Sequence, residues 1–203
     1  MSRIVFLVFS LVVLLFGCNG IPSDNNTNHK HGVSKFKVTG FNQDSMQVYL
    51  QDPLVLPVYK QIVLNTYSFS EDGLDKPEFF ALIDSVQHAR PSYRKFYLSV
   101  LTKVMDKADG AFSEALSVFA KDYIEQHSID FFTLFANNNT VSEKDLQRWS
   151  DFVMMELTLD DVTNIQKKIA DYEKRIVHNC QGSNSEVIDK CDEFCNYMEG
   201  YIP

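Results

Sequence analysis

The chain has 203 residues, of which 45% are hydrophobic and 23% charged, the ordinary balance of a globular protein able to bury a real core. Its formal net charge of −8 repels phosphate backbones and anionic lipid, which argues against nucleic-acid binding. After the first seventeen residues, no stretch is long and apolar enough to cross a bilayer.

Residues 1–17 read as a signal peptide outside the fold. Arg3 supplies a positive charge, and Ile4 to Phe16 is apolar apart from Ser10. That run has the length of a signal-peptide hydrophobic region and is short for a membrane span. It ends in Leu15-Phe16-Gly17-Cys18, which resembles the lipobox of bacterial lipoproteins. Leu15, Gly17 and Cys18 match that pattern, whereas Phe16 stands where a small residue is usual. The resemblance covers only these first eighteen residues. It implies cleavage before Cys18, a diacylglycerol on the Cys18 thiol and palmitate-type acylation. An ordinary secretory signal cut near Gly20 is the alternative, and it would discard Cys18.

Residues 18–40 read as the lipid anchor and a flexible linker. Between Asn19 and Lys35 there are almost no apolar side chains, and such a segment cannot offset its ordering entropy. His29-Lys30-His31 reads there as solvated polar residues rather than a metal tract. Phe36 to Phe41 offers the sole strand-like alternation.

From residue 41 onward the pattern is helical. Residues 43–51 make a short helix ended by Asp52-Pro53. Leu54 to Phe69 is apolar enough for a buried helix with Pro57 in its first turn. Asp75 and Glu78 have capping-box spacing, and Phe79, Phe80, Ile83 and Val86 form one face until Arg90-Pro91. Tyr93, Phe96, Tyr97, Val100, Leu101 and Val104 repeat the 3–4 spacing. Phe112, Ala115, Leu116, Phe119 and Tyr123 do so again, in a helix from about Ala111 to Gln126.

Ile129 to Phe135 is short and aromatic, and Asn137-Asn138-Asn139-Thr140 is a loop. Ser142 caps a helix carrying Leu146, Trp149, Val153 and Leu157. Val162, Ile165, Ile169, Tyr172 and Ile176 make a narrow seam, with Asp171 and Arg175 spaced to pair on its wet side. The last helix, about Asn184 to Tyr197, opens on Ser183 and Glu186 in capping-box spacing. Val187, Ile188, Cys191, Phe194 and Cys195 are its apolar face. The Gln181-Gly182-Ser183 turn is short enough to make the last two helices an antiparallel hairpin. The expected domain, residues 41–203, is all-α: a single globular bundle, or stacked helical hairpins, of seven to eight helices.

Processing leaves Cys180, Cys191 and Cys195. Export favours a disulfide. Cys191 and Cys195, one turn apart, place their β-carbons about 6 Å apart, too far for a relaxed bridge. Cys180 is then the common partner, pairing with Cys191 or, alternatively, with Cys195. His178, Cys180, Cys191 and Cys195 also form a four-ligand set that structural zinc accepts, though the spacing matches no zinc motif. Asp106 to Gly110 lacks the alternating ligands of a calcium loop and reads as a helix-ending turn. His88 and His127 stand at helix C-termini, where the dipole favours them. Asp160-Asp161 stands at a helix start and Ser113, Glu114 and Ser117 on a helix flank. No phosphate loop, HExxH or GxSxG occurs.

These residues point to no catalytic constellation and no cofactor. They point to an exported lipoprotein in the bacterial cell envelope, at the outer membrane facing the periplasm or cell surface. Its partners are the membrane, through the lipid, and an unidentified protein. Its helical domain is expected to bind that protein, as an immunity-like inhibitor or as an accessory subunit. The alternative is an envelope enzyme or small-ligand carrier with a pocket between helices.

Overall fold

The computed structural model describes residues 43–69, 74, 76–137, 141–159 and 164–201. The signal, Cys18, the linker, Phe36 to Phe41, Asp75, Asp160-Asp161 and Val162 lie outside them. The described chain is all-α. Its helices are α1 (Gln43–Gln51), α2 (Pro57–Val63), α3 (Pro77–His88), α4 (Pro91–Val104) and α5 (Gly110–Gln126), then α6 (Ser128–Ala136), α7 (Glu143–Thr158), α8 (Ile165–Cys180) and α9 (Ser185–Glu199). A single 3-10 turn, Met105–Lys107, joins α4 to the loop before α5.

Three helices, α2, α3 and α4, begin on proline, whose missing N–H is one of those a helix start leaves unpaired anyway. α2 is much shorter than the apolar run Leu54 to Phe69 suggests. Asn65 adopts a left-handed φ of 55°. The Thr66 N–H then reaches the Gln61 carbonyl at 2.8 Å and the Asn65 N–H reaches Ile62 at 3.0 Å. That pair of bonds is the Schellman closure, which satisfies the last carbonyls and stops the helix. Leu54, before the helix, and Leu64, at its C-cap, are exposed rather than buried.

Two expected caps are replaced. The N-cap of α3 is Lys76, without a side-chain bond, not Asp75. At α9, Asn184 caps by accepting from the Val187 N–H at 2.9 Å, and the buried Ser183 hydroxyl has no hydrogen-bond partner. A one-residue shift of the helix start suffices for that exchange, because Asn and Ser cap about equally well. Ser142 does cap α7, and Asp145 closes the reciprocal box with it.

The packing is that of a bundle. α5 lies against α7 and α6 against α9, so the most extensive neighbours are not consecutive helices, as a simple stack of hairpins would require. α8 and α9 pack on one another and α7 packs on α9, while α3, α2 and α1 layer onto α4. Trp149, Phe119, Phe131, Phe132 and Phe194 meet at the centre, Phe131 edge-on to Trp149 with centroids 5.2 Å apart. Edge-to-face rings pack helices that cross at differing angles. The buried Trp149 indole donates to the Thr102 hydroxyl at 3.0 Å, so this polar edge is not left orphaned. Among the described residues no helix is long and apolar enough to cross a membrane.

Candidate functional site

The α8–α9 hairpin forms as its apolar seam requires. Ile169, Tyr172 and Ile176 of α8 are buried, as are Val187, Cys191 and Phe194 of α9. Ile188 is not part of that face; it is exposed. Gly182 makes the turn with φ +83°, a conformation L side chains rarely adopt. α8 also reaches beyond α9. The Tyr172 hydroxyl donates to the Lys121 carbonyl at 3.0 Å, the Asn179 amide donates to the Glu125 carbonyl at 2.7 Å, and Arg175 pairs with Glu125 at 2.6 Å. Arg175 therefore joins α8 to α5 instead of pairing with Asp171, whose partner is Lys167 at 2.5 Å.

This hairpin brings the three cysteines together. Cys180, the last residue of α8, and Cys191 of α9 are 2% and 1% exposed, while Cys195 is half-buried one turn further along α9. All three are free thiols in this structure. Cys191 stands between the other two in the hairpin, near enough to Cys180 and Cys195 for each to act on its proton. The neighbouring Cys191 thiol lowers the Cys180 pKa, against burial and the charge of Asp192, which raise it. Cys180, Cys195 and burial together push Cys191 up. Of the two buried thiols, Cys180 is therefore the readier to be a thiolate. His178 is exposed and does not join the group. Among the described residues no three His, Cys, Asp or Glu side chains are arranged to hold a metal ion, so the zinc set is not assembled.

A second polar cluster, which no spacing in the sequence signals, lies where α4, α5 and α6 meet. Arg94 pairs with Asp130 at 3.2 Å, yet its buried Nε has no hydrogen-bond partner. The buried Tyr123 hydroxyl also lacks one. The Tyr123 ring lies between Phe119, at 5.1 Å, and His127, at 5.0 Å. Burial, and secondarily the Arg94 charge, lower the His127 pKa and favour the neutral imidazole. His127 is shared by the end of α5 and the start of α6. Arg94 of α4 meets Tyr123 of α5 and His127 of the α5–α6 junction, 29 and 33 positions further along the chain, which is why periodicity could not join it to them.

The remaining candidates have structural roles. Asp106 is held by Arg148 at 2.9 Å and Lys107 at 3.2 Å, ligands for a carboxylate rather than for calcium. The Ser117 hydroxyl donates to the Glu114 carbonyl at 2.8 Å, and His88 Nδ1 lies 3.0 Å from the Asp84 carbonyl. No family model matches the chain, and neither does any curated protein or solved structure compared with it.

Proposed function

We propose that the protein is an exported lipoprotein, anchored through Cys18 to the cell envelope, whose helical domain binds a protein partner. The observation that carries the anchoring is Leu15-Phe16-Gly17-Cys18 at the end of a short apolar run. The partner-binding reading is supported by the distribution of exposed apolar side chains. Val48, Leu54, Leu56, Leu64 and Phe69 crowd into the first part of the described domain, whereas Val118, Ile129, Leu159, Val177 and Ile188 are scattered. An acidic protein carrying such a surface suits a partner with a basic face, as an immunity-like inhibitor or an accessory subunit would meet.

In-cell photo-crosslinking tests the binding reading. A benzoyl-phenylalanine in place of Leu64 should give one discrete protein adduct, and the same residue in place of the exposed Lys174 on α8 should not. Equal or absent adducts from the two positions would remove the support for a docking surface there.

The second reading, an enzyme or ligand carrier, has one observation in its favour: the unpartnered Tyr123 hydroxyl and Arg94 Nε beside a neutral His127. Tyr123→Phe separates the readings. If the cluster is structural, the variant is as stable as the parent or more so, because a buried hydroxyl without a partner costs about 1–3 kcal/mol. A loss of stability accompanied by loss of a bound small molecule from the purified protein would favour the carrier.

A further inference from the structure

We propose that Cys195 is the receiving thiol of a three-cysteine exchange site, at which a small-molecule disulfide reacts and its oxidation passes inward to a buried Cys180–Cys191 bridge. Three observations carry this. Exposure is graded, with Cys195 the accessible member and the other two sealed in the hairpin. The thiols are neighbours: Cys191 lies one turn from Cys195 on α9, Cys180 ends the α8 helix packed against it, and both act on the Cys191 proton. The two possible bonds of Cys191 also differ in strain. A Cys191–Cys195 bond would lie within one helical turn, where β-carbons about 6 Å apart oppose it, whereas a Cys180–Cys191 bond joins two helices.

The exchange balances in three steps. The Cys195 thiolate attacks a sulfur of the external disulfide, forming a mixed disulfide and releasing one thiol that takes up a proton. Cys191 then passes its proton to the neighbouring Cys180 thiolate and attacks Cys195 Sγ, and the second external thiolate leaves and takes a proton from water. Finally Cys180 attacks Cys191 Sγ, breaking the strained bond, and its proton goes to the departing Cys195 thiolate. Two protein thiols become one disulfide, one external disulfide becomes two thiols, and Cys195 ends free. The strained middle bond drives the last step forward. The lowered pKa of Cys180 belongs to the second step, where it makes Cys180 the base that accepts the Cys191 proton. None of this chemistry depends on the lipid, so it stands or falls separately from the anchor.

The test uses the full protein, purified from whichever cell fraction holds it, reduced, and exposed to oxidised glutathione. Samples are acid-quenched in a time course and mapped by fragment-ion mass spectrometry. In the wild type, glutathione should appear first on Cys195 and then decay as the Cys180–Cys191 bridge rises. Cys195→Ser should form that bridge at least about tenfold more slowly, since direct attack on buried thiols needs local opening. Cys180→Ser should accumulate the Cys195 adduct. Bridge formation at an unchanged rate in Cys195→Ser, a first adduct on Cys180 or Cys191, or no bridge in the wild type would each overturn the proposal. If circular dichroism shows that a variant has not folded, the order of events in the wild type decides alone.

Discussion

The α1–α4 layer and the α5–α9 bundle are held in different ways. Around α1 to α4 a buried apolar layer that includes Ile62, Phe79, Leu82 and Phe96 is supplemented by polar ties nearer the surface. Tyr49 donates to the Ser92 carbonyl at 2.5 Å, Tyr59 to the Glu78 carbonyl at 2.6 Å, Lys60 Nζ to the Asp52 carbonyl at 2.5 Å, and Tyr93 to the Asp52 carboxylate. In the bundle a larger aromatic core dominates, with Trp149, Phe131, Phe132 and Phe194 fully buried, and polar ties such as Tyr172 to Lys121 and Arg175 to Glu125 add to it. The first region leaves leucines in water and the second leaves almost none. A protein that must stay folded while presenting a surface to a partner gains from that division, because loss of a rim contact leaves the interior packed.

The comparison predicts a ranking of stability effects. Trp149→Ala should cost the most, about 3–5 kcal/mol, because it opens a cavity and removes the indole donor from the Thr102 hydroxyl, which keeps only its own bond to the Leu98 carbonyl. Thermal or denaturant melts would measure it, and a cost below that of the rim variants would reverse the assignment. Tyr59→Phe should lose about 1 kcal/mol, the net worth of one bond from α2 to α3. Ser142→Ala should lose about 1 kcal/mol, by uncapping α7. Leu64→Ser should stay within about 0.5 kcal/mol. A large loss there would mean that α2 is buried in a way its exposure denies.

One group gives the bundle a pH dependence. Burial, aided by the nearby Glu199 charge, pushes Glu173 up to about 7 from an ordinary 4.5, and its buried Oε1 has no hydrogen-bond partner. The folded state therefore holds this proton more tightly than the unfolded chain. Its contribution is fully present below pH 4.5 and is lost as pH rises to about 7. Glu173→Gln should match the wild type near pH 4 and melt higher than it near pH 8. Identical differences at both pH values would show that Glu173 titrates normally.

How much of this was legible depended on the kind of signal. The α8–α9 hairpin was readable because Ile169, Tyr172 and Ile176 keep strict spacing and Gly182 marks the turn. α2 was not, because apolar content says nothing about where a helix stops. The stop came from one left-handed Asn65. The thiol cluster was half legible: the spacing of Cys191 and Cys195 placed them on one face, and the short turn brought Cys180 near. Which of them is sealed depends on α6 and α7 covering α9, a tertiary fact. Tyr123 was legible as a core face and His127 as a helix end, but no local signal joined Arg94 to them.

The anchor is the claim on which the proposed place of the protein rests. Intact-mass analysis of the protein from the native membrane fraction tests it directly, with Cys18→Ala as its companion. The reading predicts a chain that begins at Cys18 and carries acyl mass, and an unprocessed precursor for the variant. A soluble wild-type chain beginning after Gly20 with no added mass would contradict it.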